Sequence, residues 1–426
     1  MKRCVFNHLL LLSVAAALVL FVSCKEKNEQ ANNKYNETTQ MLVSLVDNNS
    51  NLKSLLEEAI DKAKDINPDP ETNPAQSLEK FYDFVDFSQT AMPWDVMTNC
   101  AGQQTLGGKM NQALCYCYFI NTMELESLQG QNLFTASVQY VEPYRSWLVN
   151  YCKSWGNFLS SPQSWSQEYV DLVMAQPELR MEDYEPSANW NSFNDFFCRH
   201  LSSPEKRPIA SPDDASVVVS PCDGVPQGVW HIDNDSYLEN NGKVTIKSRE
   251  FNSIRTLIGP DSEYADAFAG GTFYHVFLDV FDYHRYHFPV GGILKELKVI
   301  PGDDALGGYI HWDADKQQYI VDCEEPGWQS IETRGLAIVE TDEYGLVAVM
   351  PIGMSQVASV NFEPTLKVGD RVEKGDMLGY FLFGGSDFVL VFQEGANFQL
   401  DIEENNNGGW DHMLMGERLG SITKTN

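Results

Sequence analysis

Basic residues are scarce in this chain of 426 residues: 30 Lys and Arg stand against 60 Asp and Glu, which gives a formal net charge of −30 at pH 7. A surface this acidic disfavours binding to nucleic acid and tight electrostatic adhesion to anionic lipid. The hydrophobic share of 43% and the aromatic share of 12% still fit a globular protein and exclude a disordered one. The length favours two domains.

Long apolar runs are absent after Cys24, so the rest of the chain predicts no membrane span. Before it, two basic residues and the short apolar run Leu9–Val22 predict a signal peptide over residues 1–23. Phe21–Cys24 resembles a lipobox, which would make Cys24 the lipidated first residue of the mature protein. An uncleaved anchor and an ordinary cleaved signal are the alternatives. We expect an exported lipoprotein anchored to a membrane on its periplasmic or cell-surface side, with a net charge of −32 once the two basic residues are removed.

Paired cysteine motifs are also absent. Beyond Cys4 and Cys24 seven cysteines remain, so at least one thiol is unpaired, and no CxxC pair predicts a zinc site. An exported protein can form disulfides, and the sequence does not assign them.

Secondary-structure patterns change near residue 190. Residues 24–38 are polar and predict a tether, and residues 39–190 carry apolar side chains at helical spacing, which predicts a helical domain. Residues 191–426 contain short β-branched and aromatic runs between turn signals, with Asp342–Gly345 as a hairpin connection. We therefore expect an α+β fold in which a helical N-terminal region precedes a β-rich domain.

The individual elements follow from the same patterns. Helical spacing occurs at 52–63, near 110–128, 133–160 and 166–175, and over Asn191–Leu201, and Ser77 is a helix cap. Strand patterns occur at Val217–Val219, Val244–Ile246, Thr272–Val280, Leu336–Thr341, Leu346–Pro351, Leu366–Val372, Met377–Phe383 and Phe388–Phe392.

Three short blocks in the β-rich half concentrate the unusual polar groups: Ser220–Gly224, Asp282–Pro289 and Gly384–Ser386. The first places a carboxylate on a turn after an apolar strand, the second holds two histidines, and the third puts a serine after two glycines. Alone, each block is weak, because Asp-Gly and Gly-Gly-Ser usually form turns and loops, and a histidine pair is more often core or metal ligand.

One interpretation is a metal site formed by the histidines with Asp223 or Asp282. The segment Val368–Asp376 also resembles the β-hammerhead of biotinyl carriers and of some zinc peptidases. A carrier needs its acceptor lysine at the next hairpin tip, which here is Gly-Gly-Ser. A zinc peptidase of that class needs a His-x-His strand, which Val389–Phe392 does not supply.

The other interpretation is nucleophilic. The glycines before Ser386 let the backbone bend, so that the serine hydroxyl can reach the carbonyl of Gly385. A His–Asp pair can supply the base. Attack gives an ester, β-elimination cuts the chain and leaves dehydroalanine, and hydrolysis of that residue gives a pyruvoyl group.

The blocks together resemble the phosphatidylserine decarboxylase family, and they occur in family order over about residues 191–400. The matching segments are Phe193-Asn194-Asp195-Phe196-Phe197 with Arg199 and Leu201, Arg207-Pro208-Ile209, Ser220-Pro221-x-Asp223-Gly224, Asp282-Tyr283-His284-Arg285-Tyr286-His287-x-Pro289-Val290, Ile352-Gly353 to Val360, and Gly385-Ser386. The resemblance makes residues 191–426 a pyruvoyl-dependent decarboxylase domain. The helical region resembles that of the long family branch, some of whose members decarboxylate free aromatic amino acids such as tryptophan.

The resemblance also implies residue roles. Asp223, His287 and Ser386 would form the self-cleavage triad, with the cut between Gly385 and Ser386, and His284 would assist decarboxylation. The pyruvoyl group from Ser386 would be the covalent cofactor, serving as an electron sink, so the resemblance implies no metal ion and no diffusible cofactor. The two cleaved chains are expected to stay associated.

Two positions depart from the family pattern. Cys222 replaces the usual alanine, a mild change, and Asp387 replaces the usual threonine after the serine. A carboxylate there should slow self-cleavage by like-charge repulsion unless it is turned away, paired or protonated.

The implied substrate carries an α-amino acid head group. A lipid anchor favours phosphatidylserine, which would become phosphatidylethanolamine, whereas the acidic charge and the extra helical domain favour a free, aromatic amino acid. The alternative from another class is an inactive relative that serves as a ligand-binding surface lipoprotein.

Overall fold

The computed structural model describes residues 34–100, 105–131, 133–239, 253–302, 306–322, 326–354, 359–406 and 408–424. The predicted signal peptide, Cys24, most of the tether and the strand predicted at Val244–Ile246 lie outside these residues. Within the described residues, no helix has both the length and the apolar character needed to cross a bilayer.

Most helices come first along the chain, and the last of them lies between the second and third strands. They are α1 (Glu37–Asn48), α2 (Ser50–Ile66), α3 (Leu78–Ser88), α4 (Pro93–Val96), α5 (Leu106–Phe119), α6 (Tyr144–Leu159), α7 (Gln167–Met174), α8 (Phe193–Phe197) and α9 (Ile254–Ile258). The α2 helix buries one apolar face, which includes Leu52, Leu56 and Ile60. The Ser77 side chain accepts a hydrogen bond from the backbone N–H of Lys80, so the predicted cap of α3 is confirmed.

Strands follow. They are β1 (Val217–Val219), β2 (Val225–His231), β3 (Thr272–Leu278), β4 (Arg285–His287), β5 (Gly292–Ile300), β6 (Tyr309–Asp313), β7 (Gln318–Asp322), β8 (Thr333–Glu340), β9 (Leu346–Met354), β10 (Val360–Phe362), β11 (Arg371–Val372), β12 (Met377–Phe381), β13 (Gly385–Phe392), β14 (Phe398–Leu400) and β15 (Arg418–Ile422). A seven-stranded antiparallel sheet has the order β11-β5-β8-β9-β13-β3-β2. Two smaller sheets have the orders β10-β12-β4 and β1-β15-β14, and β6 pairs with β7. The predicted α+β class is confirmed.

The main apolar core joins the large sheet to the two smaller ones. It includes Val276, Val349 and Leu390 from the large sheet and Tyr286 and Leu378 from the sheet that holds β4. Each fully buried side chain of this size stabilises the fold by roughly 1.5–3 kcal/mol. Strand β13 crosses the centre of this core, and its residues after the first are all buried.

The helical region and the strands pack together through the β6–β7 hairpin. The Gln112 side chain donates to the carbonyl of Tyr319 at 2.8 Å and accepts from its backbone N–H at 2.7 Å. The Asn67 side chain donates to the Tyr319 hydroxyl at 2.9 Å. Residues 37–426 form one compact unit. The change from helical to strand patterns near residue 190 is therefore a change of secondary structure within that unit.

Candidate active site

Ser386 lies at the start of β13, between the neighbouring strands β9 and β3. In the register of the sheet it faces Gly353 on one side and Leu278 on the other. Gly384 has a φ of +150°, and a side chain on Gly385 would place its Cβ 2.6 Å from Cγ of Met354. Both glycines are therefore needed for the approach to Ser386, which is fully buried.

His284 is the side chain that contacts Ser386. Its Nδ1 lies 3.3 Å from Ser386 Oγ, and its ring stacks on Phe197 with the centroids 3.8 Å apart. Burial, with a smaller effect of Arg199, lowers the pKa of His284 to about 3, so the imidazole is neutral near pH 7. The Ser386 hydroxyl donates to Nδ1 in one tautomer of His284 and accepts from it in the other, and Nε2 has no hydrogen-bond partner within bonding geometry among the described residues.

His287 has other partners. Its Nδ1 lies 2.8 Å from the carbonyl oxygen of Gly375, and its Nε2 lies 3.1 Å from the Tyr283 hydroxyl. Burial lowers the pKa of His287 to about 4, so this ring is also neutral near pH 7. The structure thus brings His284 to Ser386, while the predicted role of His287 in cleavage stays a prediction.

Asp223 is fixed on the turn between β1 and β2. Arg207 donates two hydrogen bonds to its carboxylate, at 3.0 and 2.7 Å, and the backbone N–H of Met415 donates a third at 2.8 Å. The guanidinium also donates to Asp183 at 2.9 Å. A bidentate pair of this kind holds the carboxylate in one orientation.

Asp387 lies on the opposite face of β13 from Ser386, because successive side chains of a strand alternate. Its carboxylate is 2.7 Å from Nε2 of His275 on β3, and its Oδ1 accepts a hydrogen bond from the N–H of Phe388. Burial raises the pKa of Asp387. The carboxylate is therefore turned away and paired, the condition under which repulsion of the nucleophile is not expected.

Two cavities adjoin this region. One, of about 540 Å³, has His287, Tyr283 and Arg207 in its lining. The other, of about 370 Å³, is lined by residues that include Asn194 and Arg285. Within the described ranges, no group of three or more His, Cys, Asp or Glu side chains is arranged to hold a metal ion.

A family model described as phosphatidylserine decarboxylase matches residues 193–421, more than half of the chain. The chain belongs to the phosphatidylserine decarboxylase family. It is 33% identical over 273 residues to the phosphatidylserine decarboxylase proenzyme of Fusobacterium nucleatum, covering 63% of this chain and 82% of that protein. It is 31% identical over 280 residues to phosphatidylserine decarboxylase proenzyme 2 of Oryza sativa subsp. japonica, covering 65% and 42%. It is 32% identical over 267 residues to decarboxylase iboD of Amanita muscaria, covering 56% and 74%.

Membership of the phosphatidylserine decarboxylase family makes the protein a decarboxylase, a carboxy-lyase. The structure adds three neighbours of the predicted site residues: Arg207 on Asp223, Phe197 on His284, and His275 on Asp387. The sequence blocks include Arg207 and Phe197 and carry no signal of which side chains they touch. His275 lies outside every block, and only its place in an apolar strand distinguishes it.

Proposed function

We propose that this member of the phosphatidylserine decarboxylase family cleaves its own Gly385–Ser386 bond and then converts phosphatidylserine to phosphatidylethanolamine. The observation that carries the proposal is the contact of Ser386 Oγ with Nδ1 of a buried, neutral His284. Curated relatives at about one-third identity are named as phosphatidylserine decarboxylase proenzymes, which supports both the processing and the substrate.

The cleavage uses atoms of the chain itself. Ser386 Oγ loses its proton to the base and bonds to the carbonyl carbon of Gly385, while the C–N bond between the two residues breaks and the proton passes to the freed nitrogen; the product is an ester with a free amine on residue 386. Loss of the proton on Cα of residue 386 then breaks the Cβ–O bond, leaving a carboxylate on Gly385 and dehydroalanine at position 386. Water converts the dehydroalanine to a pyruvoyl group with release of ammonia. The preceding glycines supply the backbone freedom that the first step needs.

The proposal gives the two histidines separate roles. Asp223 and His287 serve the cleavage, for which His287 must leave its bonds with Tyr283 and Gly375. A pyruvoyl group at position 386 supplies an electron sink for the decarboxylation. The site suits such a group, because position 386 is fully buried from water and the Nε2 of His284 has no partner among the described residues. We expect His284 to return a proton to the product carbon, since it lies beside position 386.

The two chains made by cleavage are expected to stay together. Residues 386–392 pair with β9 on one side and β3 on the other, and β15 near the C-terminus pairs with β1. The C-terminal fragment thus supplies a central strand of the large sheet.

Lipidation at Cys24 is the further part of the proposal: it would hold the exported enzyme at a membrane that contains its substrate.

A free amino acid is the second candidate substrate. The mature charge of −32 disfavours adhesion to anionic lipid, and the relative iboD is named a decarboxylase without mention of a lipid. Both substrates present the same α-amino carboxylate to position 386, so the chemistry does not separate them.

Intact-mass measurement of the purified full chain tests the processing. We expect two fragments that meet at Gly385–Ser386, with a C-terminal fragment that resists Edman degradation. Ser386→Ala should leave one inactive chain, and the control Ser421→Ala, in β15, should cleave normally. A single chain from active protein, or a free amine on the C-terminal fragment, refutes self-processing.

Turnover tests the substrate. Vesicles that contain phosphatidylserine and solutions of free L-amino acids are offered to the same preparation, and the amine products are measured by mass spectrometry. Phosphatidylethanolamine from the vesicles supports the proposal, and amines from free amino acids alone refute its lipid part. Palmitate labelling that is lost in Cys24→Ser tests the anchor.

A further inference from the structure

Helix α8, which has only five residues, contacts His284 and the segment that leads to Ser386. The ring of Phe197 stacks on His284 with an interplanar angle of 20°. The side-chain Oδ1 of Asn194 accepts a hydrogen bond of 2.9 Å from the backbone N–H of Phe383, three residues before Ser386. Both side chains are buried, so these contacts are part of the interior and not of the surface.

The helical N-terminal region fixes α8 in turn. The Asn194 side-chain amide donates a hydrogen bond of 2.8 Å to the hydroxyl of Ser160, the residue that follows α6. The backbone N–H of Phe193 donates to the hydroxyl of Ser164 at 3.0 Å. The ring of Trp155, on α6, meets the ring of Phe383 edge-on at 5.6 Å. The same region therefore supports the helix and the approach to the Gly-Gly-Ser turn.

Each contact has a distinct consequence. The stack on Phe197 restricts rotation of the His284 ring and thus keeps Nδ1 directed at Ser386. The Asn194 acceptor holds the backbone of Phe383 in place. Two glycines separate Phe383 from the nucleophile, and glycine has no side chain that could restrict its own backbone. Without the acceptor, Phe383 and Gly384, which precede β13, can adopt other backbone conformations and no longer fix the start of the strand that carries Ser386.

We propose that Asn194 and Phe197 are positioning residues through which the helical region holds Ser386 and His284 together for reaction. The inference rests on the proposed function, in which Ser386 is the nucleophile and His284 contacts the reacting atoms. Asn194 acts on the cleavage step through Phe383, and Phe197 acts on whichever step requires His284.

The test follows cleavage of the full chain by pulse-chase and, after maturation, kcat and KM of the decarboxylase. Asn194→Leu removes the acceptor, whereas Asn194→Asp keeps an oxygen for the Phe383 N–H. Loss of one buried hydrogen bond from the reacting geometry should slow cleavage roughly tenfold or more, and the aspartate should recover part of the rate. The matched control is Asn121→Leu: Asn121 is a buried amide with bonds to Tyr144 and Cys117.

Phe197 is tested by the same logic. Phe197→Leu keeps an apolar side chain without the ring, and Phe197→Tyr keeps the ring. We expect Phe197→Leu to impair the step that His284→Ala impairs, through kcat and not KM, and Phe197→Tyr to restore it. The matched control is Phe119→Leu, which removes a buried ring that packs on Tyr319.

The outcomes separate the two levels of the argument. A parent chain that does not cleave, or a Ser386→Ala variant that does, overturns the proposed function and this inference with it. Normal cleavage of the parent with parent-like rates in Asn194→Leu and Phe197→Leu overturns the inference alone. Equal slowing in the Asn121 and Phe119 controls, in proportion to lost thermal stability, also overturns it, because a general structural role then suffices.

Discussion

The substitution Asp387→Thr distinguishes a repulsive carboxylate from a paired one. If Asp387 repelled the nucleophile, its removal would lower the barrier to cleavage by on the order of 1 kcal/mol, which is about a fivefold faster rate. The structure predicts a different result, because the carboxylate bonds with His275 on the other face of β13.

The size of the expected effect follows from burial. The side chains of Asp387 and His275 are 0% and 3% exposed, so neither group can turn to water when its partner is removed. The Nδ1 of His275 already has no partner among the described residues, and threonine leaves its Nε2 without the carboxylate as well. An unsatisfied buried polar group costs about 1–3 kcal/mol, which is the loss of unfolding free energy that we expect.

Two assays on two backgrounds measure these effects separately. Urea unfolding is followed in a Ser386→Ala chain, which stays in one piece, with and without Asp387→Thr. Cleavage is followed by pulse-chase in the chain with Ser386 intact, where we expect a rate within about twofold of the parent. Asp401→Thr is the matched control, because Asp401 forms an exposed pair with Arg418 and its loss should change stability by less than about 0.5 kcal/mol.

A double substitution completes the test. His275→Leu alone should destabilise the Ser386→Ala chain, and Asp387→Thr added to it should cost less than it does alone, because the shared hydrogen bond is already gone. Unchanged stability in Asp387→Thr, together with cleavage several-fold faster than the parent, would refute the pairing argument and restore the repulsion argument.

Three further predictions concern the same site. His287→Ala should block cleavage, whereas His284→Ala should cleave and lose turnover; gels and product assays on both variants check this, and the reverse pattern would make His284 the cleavage base. Because the pKa values of His284 and His287 are lowered to about 3 and about 4, a neutral base persists as pH falls, and cleavage should stay level from pH 7 to about 5. A pulse-chase profile with a midpoint near the ordinary histidine value of about 6.5 would contradict that burial. The fragments separated at Gly385–Ser386 should co-elute in native gel filtration and part only in denaturant, and separate elution without denaturant would show that β13 does not hold them.

The sequence was sufficient for the elements with strong periodicity and for the residue blocks. It predicted the cap at Ser77 and the hairpin at Asp342–Gly345, both of which the structure has. Boundaries were less accurate where apolar residues continue past an element: the helix predicted near 110–128 ends at Phe119. The strand predicted at Phe388 begins three residues earlier, at Gly385. Glycine has low strand propensity, so the sequence did not indicate this start, which is set by pairing with β9 and β3.

The side-chain contacts within the site could not be predicted from the sequence, for a physical reason. Ser386 and His284 are separated by 102 positions in the sequence. Strand register determines which side chains of two distant segments face each other, and a single sequence does not reveal that register. His284 and His287 belong to one short block, so composition could not tell which of them meets the serine. The pairing of Asp387 with His275, 112 positions away, was invisible for the same reason, and the carboxylate therefore looked like an obstacle to the nucleophile.

The central position of β13 has a thermodynamic consequence for the mature enzyme. Before the cut, the precursor is one chain, so its refolding does not depend on protein concentration. After the cleavage proposed above, the strand that begins at residue 386 would belong to a separate molecule, while its neighbours β9 and β3 would remain on the other. Unfolding then becomes dissociation as well, and the midpoint of denaturation should fall as the enzyme is diluted, as for a heterodimer. Recovery of a dilute, denatured mature enzyme requires two fragments to meet and a strand to re-enter the middle of a sheet, a step that the precursor performs within a single molecule.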